Sequence, residues 1–456
     1  MAILGIILSL ALLIFLAYRG FSVILFAPVC ALLAALFSGA SLLPTYTELF
    51  MAKAVGYAKS FFPIFMLGAV FGKVMEDSGA ARSIAKALIQ KLGPERAILA
   101  VVLSCAVLVY GGVSLFVVAF AVYPFAAALF KEANIPKRLI PACIALGSFT
   151  FAMDALPGSP QIQNIIPTKY FGTTTYAAPW TGLIGAVILF TGGMAWLEYR
   201  KRKAIAKGEG YGKHTLNEPE TSNDDRLPNA AISCIPLLAV LGGNFFFTKW
   251  ISRWDPAILS NYPGVQLSSV AGIWALILAI VIGILLAITF NWKYFKDSVV
   301  KSLNTGTIGS LLAIMNTSSE VGYGSVIASL PGFKAIASAV LGIKGTPLVS
   351  EAIAVTSLAG ITGSGSGGLS IALEIMGKQY LEWAHRVGVS PELLHRIAAM
   401  ACGGFDTLPH NGAVITLLAI CGLTHRESYP DIFAITVMKT LTVFIVIAIV
   451  SIFGIV

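Results

Sequence analysis

Charged residues are scarce in this chain. Only 12% of its 456 residues are Asp, Glu, Lys or Arg, whereas 57% are apolar, and the mean hydropathy is +0.83. So little polar surface cannot cover a soluble particle of this size. The composition excludes a soluble globular protein and predicts an all-α, polytopic membrane protein.

Motifs for metal, nucleotide and disulfide chemistry are also missing. The six cysteines form no CxxC pair, and the five histidines show no His-Glu-x-x-His spacing. A Gly-rich stretch at 363–368 is not followed by the Gly-Lys-Ser/Thr of a phosphate-binding loop. We therefore expect no cofactor, no metal site and no enzymatic activity. The formal charge of +9 lies in short loops at predicted membrane ends, which favours orientation in a bilayer over nucleic-acid binding.

Apolar runs at 1–18, 21–43, 273–290 and 432–456 are long enough, or nearly so, to cross ~30 Å of hydrocarbon as helices. With shorter, interrupted runs we expect roughly ten to fourteen membrane segments. The first run lacks a basic start and is followed at once by a second run, so we interpret it as a retained helix and not a cleaved signal.

One clearly polar stretch, residues 198–227, divides the chain into a first membrane repeat (1–197) and a second (228–456). It begins with the basic run at 200–203 beside a membrane end, which predicts a cytoplasmic linker. The two halves share weak similarity at an offset of about 250 residues. Gly-Gly-Val-Ser at 111–114 returns as Gly-Gly-Leu-Ser at 367–370, and Asp154-Ala-Leu-Pro returns as Asp406-Thr-Leu-Pro.

Two similar apolar halves, each interrupted by Gly and Pro, are typical of secondary transporters. Matching loops differ in basic content, with four Lys or Arg at 76–96 against two at 326–346. This difference indicates inverted repeats, in which each half crosses an odd number of times and both termini lie outside.

The chemistry should gather where helices break, at 147–164 and 403–412, because Pro and Gly unwind a helix at membrane depth. Neither stretch contains Lys or Arg, so we expect backbone N–H groups at half-helix N-termini, with nearby hydroxyls and amides, to hold a small carboxylate. The candidate substrate-binding residues are Ser148, Thr150, Asp154, Ser159, Asn164, Gly365, Gly367, Asp406 and Asn411.

Proton coupling is assigned to Asp406 assisted by His410, with Asp154 as its counterpart in the first repeat and Glu320 as a further candidate. Each has a structural alternative. Asp154 and Asp406 are each suitable as a helix cap. His410 is as consistent with a hydrogen-bonded structural role as with proton transfer.

Several stretches together resemble the gluconate permease family of the ion-transporter superfamily, and its hydroxybutyrate-permease branch most. They are residues 71–79, 134–136, 316–333, 363–370 and 405–412, the last reading Phe-Asp-Thr-Leu-Pro-His-Asn-Gly. Gluconate permeases carry a Tyr-Glu-Val-Gly-like stretch and a His-Pro-Gly-Pro-like turn. This chain has Tyr-Gly-Gly-Val at 110–113 and Leu-Pro-Gly-Ser-Pro at 156–160, which argues against gluconate as the substrate.

The resemblance implies proton-coupled uptake of a 3-hydroxybutyrate-like monocarboxylate across the bacterial inner membrane by a homodimer with an elevator-like moving domain. Gluconate or D-serine transport is the alternative within the family. A channel or a membrane-embedded enzyme is the alternative from another class.

Overall fold

The computed structural model is all-helical, as the composition predicts. Helices account for 81% of it, and no strand occurs in the residues that it describes. Those residues are 2–19, 21–218, 227–262, 265–295, 298–333, 346–409 and 411–456.

The first half contains ten described α-helices, several of which are short or bent. They are α1 (Ala2–Tyr18), α2 (Val23–Phe37), α3 (Leu42–Asp77), α4 (Ala80–Leu92), α5 (Ala97–Tyr110), α6 (Leu115–Glu132), α7 (Ile140–Ser148), α8 (Phe151–Asp154), α9 (Ile162–Phe171) and α10 (Pro179–Ala206).

The second half contains eight described α-helices. They are α11 (Ala230–Ile251), α12 (Leu267–Asn291), α13 (Val299–Ser329), α14 (Pro347–Thr362), α15 (Gly365–Val387), α16 (Pro391–Cys402), α17 (Gly412–Cys421) and α18 (His425–Phe453).

Six helical stretches among the described residues are long and apolar enough to cross a bilayer: α3, α6, α10, α11, the stretch 270–294 that includes most of α12, and α18. Helices α4 and α5 add a seventh candidate that is bent by 105°. Shorter apolar helices occur in α1, α2, α14 and α17. The chain is therefore a multi-pass membrane protein in which broken helices accompany the long ones.

Both predicted helix breaks are present, and the elements around them occur in the same order in each half. Helix α7 ends at Ser148 as the first break begins and α9 starts at Ile162 as it ends, with the single turn α8 between them, while α16 and α17 flank the second break. Helices α9 and α17 each end at a glycine in the left-handed region, Gly172 (φ 64°) and Gly422 (φ 62°), which lie 250 residues apart. A Cβ at either position would be strained, so glycine ends both helices for the same reason.

The last long helices of the two halves, α10 and α18, pack against each other and are antiparallel. Arg200, near the end of α10, forms an ion pair with Asp431, near the start of α18, with Nε and Oδ1 2.7 Å apart. At the other end Thr181 of α10 donates to the carbonyl of Ile455, just beyond α18, over 3.5 Å. Inverted repeats require this relationship between corresponding helices; inversion of the complete halves stays a prediction.

Glycines on α10 let it approach the helices that carry the breaks. A Cβ on Gly193 would meet the side chain of Leu146 on α7, and one on Gly185 would lie 3.0 Å from the sulfur of Met400 on α16. Close approach through small residues is the usual way in which membrane helices gain packing energy. The packing holds α7 and α16, the helices that lead into the two breaks, against α10.

The predicted linker begins inside α10, which continues to Ala206, and its described part bonds to both halves. Lys137, which is fully buried, pairs with Glu218 of the linker over 2.6 Å. Asn217 donates to the carbonyl of Ala419 on α17 over 2.7 Å. Arg138 pairs with Glu209, and this hydrogen-bonded pairing lowers the pKa of the Glu209 carboxyl. The linker segment 207–218 is therefore attached to the protein surface through its side chains.

Candidate functional site

Asp154 and Asp406, which the repeat relates, lie on either side of one lysine. Lys439 on α18 donates a hydrogen bond of 2.8 Å to Asp406 Oδ1, and its Nζ lies 3.9 Å from Asp154 Oδ2. The same ammonium donates to the carbonyl of Phe149 at the first break. All three charged side chains are almost completely buried. Lys439 is near the middle of the 29-residue helix α18, so the cluster lies close to the bilayer midplane.

The charges in this cluster do not balance. Within these three groups one ammonium faces two carboxylates, which leaves one formal negative charge when all three are ionised; the nearest further positive charge is Arg396, which donates to the carbonyl of Asp154 over 3.5 Å. Neither oxygen of Asp154 receives a hydrogen bond from the described residues. A buried carboxylate with so few donors is costly, so this position favours a group that binds and releases a proton or exchanges ionic partners.

The second break contacts the tip of the helical hairpin formed by α14 and α15. Asn411 donates to the carbonyl of Gly363 at this tip over 2.7 Å, and its own oxygen caps the amides of Ala413 and Val414 at the start of α17. Gly365 is so close to the second break that a Cβ there would lie 3.0 Å from Asp406 Oδ2. Asp406 is therefore next to the N-terminus of α15, where the helix dipole favours negative charge.

Glu320 on α13 contacts the same first turn of α15. Its carboxylate occupies the space where Gly367 would carry a Cβ, and its Oε2 has no hydrogen-bond partner among the described residues. Asp406 and Glu320 thus contact residues two positions apart on one helix N-terminus. The geometry joins the two predicted proton-coupling positions through the glycine turn that the sequence singled out.

The first break is held in place by Arg396 of α16, which is fully buried. Its guanidinium donates to the side-chain oxygen of Asn164 over 2.8 Å and to the carbonyls of Thr175 and Ala177. The side-chain oxygen of Asn164 also accepts a hydrogen bond from Nε2 of His395 over 3.2 Å, and the Asn164 amide nitrogen donates to the carbonyl of Thr175. A charge buried in this way is stabilised by several hydrogen bonds to backbone oxygens.

Residues 1–241, more than half of the chain, match the family model described as GntP family permease. The chain belongs to the GntP permease family. It is 52% identical to the uncharacterized transporter YxjC of Bacillus subtilis (strain 168) over 472 residues, covering 100% of both chains. Its fold is similar to that of the YdaH transporter of Alcanivorax borkumensis, whose crystal structure is described as revealing an unusual topology. The TM-score is 0.54, with 14% identity and 88% of each chain covered.

The permease is therefore a membrane transporter and not an enzyme. The sequence resemblance to the gluconate permease family is confirmed at the level of the family, and the hydroxybutyrate branch stays a prediction. At 14% identity the likeness to YdaH concerns the fold alone.

The predicted binding residues of the permease fall into two groups. Ser148 is buried, and its hydroxyl has no hydrogen-bond partner among the described residues. The side chains of Thr150, Ser159 and Asn164 instead donate to nearby carbonyls, which maintains the shape of the first break. Asn411 does the same at the second break through its cap and its bond to Gly363. His410 lies outside the described residues.

Two basic residues at the site of the permease escaped the sequence analysis. The absence of Lys and Arg from the breaks themselves predicted a carboxylate site made of backbone groups, but Lys439 and Arg396 reach the breaks from neighbouring helices. Lys439 had a detectable signal, because it is the lone charged residue in the apolar run 432–456. Arg396 had no such signal, because its helix also contains the polar residues Glu392 and His395 and begins next to a loop.

No group of three or more His, Cys, Asp or Glu suited to a metal ion occurs in the part of the permease that the structure describes. The groups at the breaks are carboxylates, the ammonium of Lys439, the guanidinium of Arg396 and hydroxyls, which can bind ions and exchange protons.

Proposed function

We propose that this permease is a proton-coupled symporter of a small hydroxycarboxylate, a monocarboxylate similar to 3-hydroxybutyrate. The observation that carries the proposal is the Asp154–Lys439–Asp406 cluster, in which one buried ammonium contacts two acids from repeat-related helix breaks. Such a cluster can bind a proton at a carboxylate and an organic anion at the ammonium, which are the two species that the proposed symporter carries.

The coupling follows from competition for Lys439. When Asp406 is ionised it pairs with the ammonium, which is then not available to a substrate. Protonation of Asp406 removes that negative charge, and the ammonium is free to bind the carboxylate of the substrate. Each ligand thus strengthens binding of the other, and by thermodynamic linkage the proton and the anion move together.

The surroundings of the cluster support a small substrate. A Cβ on Gly365 would lie 3.0 Å from Asp406 Oδ2, and one on Gly403 would overlap the carboxylate of Asp154, so the space beside the two carboxylates is narrow. The Ser148 hydroxyl has no hydrogen-bond partner among the described residues and is a suitable donor or acceptor for a substrate hydroxyl. The departures from the gluconate-permease motifs at 110–113 and 156–160 favour a shorter acid than gluconate.

We further propose that the permease acts in the bacterial inner membrane as a homodimer with an elevator-like moving domain. The multi-pass fold and the family membership support the location in a membrane. The proposed dimer and moving domain rest on the sequence resemblance.

Substitution of Asp406 separates coupling from binding. Asp406→Asn leaves one ammonium with one carboxylate, Asp154, so the charges balance and the fold should be kept. In proteoliposomes, binding of 3-hydroxybutyrate to the wild type should strengthen as pH falls. Binding to Asp406→Asn should be independent of pH, and the variant should exchange substrate without concentrating it under an imposed pH gradient.

Lys439→Gln should abolish binding of the carboxylate in the same assay. The matched control is Glu382→Gln, which neutralises a surface carboxylate that is 61% exposed and should leave transport unchanged. Retained accumulation by Asp406→Asn would refute coupling at this residue and transfer the assignment to Glu320.

A labelled panel of 3-hydroxybutyrate, gluconate, lactate and D-serine, with and without a pH gradient, tests the substrate class. Preferential uptake of the short hydroxyacids supports the proposal. Preference for gluconate or D-serine would change the proposed substrate but not the assignment as a transporter. Flux without saturation or proton dependence would indicate a channel.

A further inference from the structure

A second candidate site, with a mixed apolar and cationic lining, lies at the membrane face opposite the linker. It is an open cavity of about 430 Å³, within the range of ~300–1,000 Å³ that is usual for small-molecule sites. Seven residues line it: Thr174, Tyr176, Phe245, Thr248, Lys249, Ser252 and Arg253.

The position of the cavity follows from the two helices that the linker joins. Helix α10 runs from the cavity side to the linker over 28 residues, and α11 returns over 22 residues. At 1.5 Å per residue these lengths are about 42 and 33 Å, enough to cross a bilayer. The cavity is formed by the loop before α10 and the last turns of α11, so it opens on the far side of the membrane.

Two cations line this cavity without a counter-charge. Lys249 and Arg253 lie four residues apart, and neither forms a salt bridge with any residue that the structure describes. No Asp or Glu lines the cavity. Asp255, the nearest acid in the chain, caps the amide of Ala257 instead. The cavity therefore has a net positive lining.

The cations are unusual for this face of the membrane. Basic residues are depleted on the side away from the cytoplasm, and the loop at 250–266 contains Arg253 as its single Lys or Arg. If the linker is cytoplasmic, as its basic start predicts, Lys249 and Arg253 stand together where positive charge is otherwise avoided.

An aromatic wall holds Lys249 in place. The rings of Tyr176 and Phe245 meet edge to face with centroids 5.4 Å apart, and the Lys249 ammonium lies 4.1 Å from the centroid of Phe245. A cation–π contact orients the ammonium and leaves its positive charge available. Hydroxyls of Thr174, Thr248 and Ser252 complete the lining.

The wall of the cavity is also part of the central site. Thr175, between the lining residues Thr174 and Tyr176, accepts hydrogen bonds at its carbonyl from Asn164 and Arg396 and at its hydroxyl from Asn244. Arg396 in turn reaches the carbonyl of Asp154. One loop thus separates the cavity from the break that carries Asp154.

We propose that the Lys249–Arg253 cavity is a capture site for the carboxylate group of the transported anion on the face opposite the linker. The guanidinium and the ammonium pair with the carboxylate, and the Thr and Ser hydroxyls bond to a substrate hydroxyl. This inference rests on the proposed transport of a small hydroxycarboxylate. The same charges suit the phosphate of an anionic lipid, so the experiment separates the two sources.

A labelling experiment tests occupancy without transport. Ser252→Cys places a thiol in the cavity, where a membrane-impermeant maleimide added from that face should react. The wild type is the blank, because its cysteines are buried except for Cys234, which is half-buried near the linker end of α11. 3-Hydroxybutyrate should protect the new thiol in liposomes of zwitterionic phosphatidylcholine alone.

A kinetic experiment tests the charges. Lys249→Gln and Arg253→Gln should each raise the half-saturation concentration for uptake from the cavity side by roughly two- to fivefold, the effect of one exposed ion pair. The maximal rate and the half-saturation concentration from the linker side should not change. Lys293→Gln, which removes an exposed lysine at the linker face, is the matched control and should change neither.

The outcomes discriminate clearly. Absence of protection together with unchanged half-saturation would overturn the capture site, and so would effects that occur only in liposomes containing anionic phosphatidylglycerol. The labelling is repeated in Asp406→Asn without a pH gradient. If 3-hydroxybutyrate still protects the thiol in Asp406→Asn, the result supports the capture site even if proton coupling at Asp406 fails. If protection is lost only in Lys249→Gln, the result also supports the capture site and leaves the assignment of coupling to Asp406 unchanged.

Discussion

The carboxylate of Asp154 occupies the space that a Cβ on Gly403 would need. The same Cβ would lie 2.7 Å from Lys439 Cε. Gly403 has an ordinary right-handed backbone (φ −72°), so glycine is required here by the room that the two charged side chains take and not by backbone conformation.

Gly403→Ala should therefore separate Asp154 from Lys439 while the chain still folds. Overfilling a buried position costs about 1–3 kcal/mol, and misplacement of the cluster should lower the transport rate roughly tenfold or more. The measurement is initial uptake per reconstituted molecule. Gly412→Ala, where a Cβ meets nothing within 4 Å, should transport normally; equal activity of both variants would contradict the geometry.

Substitutions at the breaks should distinguish a substrate ligand from the framework. Ser148→Ala removes a hydroxyl that has no partner among the described residues, so thermal stability should not change, whereas the half-saturation concentration should rise roughly two- to tenfold, the value of one hydrogen bond. Thr150→Val and Asn411→Ala remove bonds to the backbone. Asn411→Ala should lower stability by about 1 kcal/mol through the lost helix cap. Unchanged apparent affinity in all three variants would exclude these segments from the substrate site.

The attachment of the linker should depend on Glu218. Glu218→Gln deprives the buried ammonium of Lys137 of a carboxylate partner, so segment 207–218 should detach more often. Trypsin cleavage after the exposed Lys213, followed by mass spectrometry, should become several times faster than in the wild type. Glu132→Gln, an exposed acid on the same face, is the control; equal cleavage in all three proteins would show that the pair does not hold the linker.

The contact between Ile455, just beyond the end of α18, and Thr181, near the start of α10, predicts on which side of the membrane the C-terminus lies. Because Ile455 contacts the end of α10 that is farthest from the linker, a cytoplasmic linker requires an external C-terminus. A reporter that is active only in the cytoplasm should be silent when fused after Val456. The same reporter inserted in the linker should be active, and the opposite pattern would invert the topology.

Sequence patterns located the breaks and their paired acids because Gly, Pro and Asp-x-Leu-Pro mark unwound backbone wherever they occur in an apolar segment. They did not show that Asp154 and Asp406 meet at Lys439. That contact joins positions 154, 406 and 439, and no local pattern encodes the crossing of helices so far apart in the chain.

The same limit explains the interpretation of Asn164 and of the linker. The sequence predicts that Asn164 binds substrate through its side-chain amide. In the structure its side-chain oxygen accepts hydrogen bonds from Arg396 and His395 on α16. The linker looked like a purely solvated segment, because its composition is polar. Its attachment depends on Lys137 and Tyr123, whose positions only the folded chain reveals.

The bonds that Arg396 makes to the loop at 175–177 have a consequence for biogenesis. The ribosome adds Thr175 and Ala177 more than two hundred residues before it adds Arg396, so their carbonyls are at first without this donor. The first break can reach its mature shape only after α16 has inserted. The first half is thus not an independent folding unit, and when it is expressed separately it must meet the second half before its break takes the mature shape.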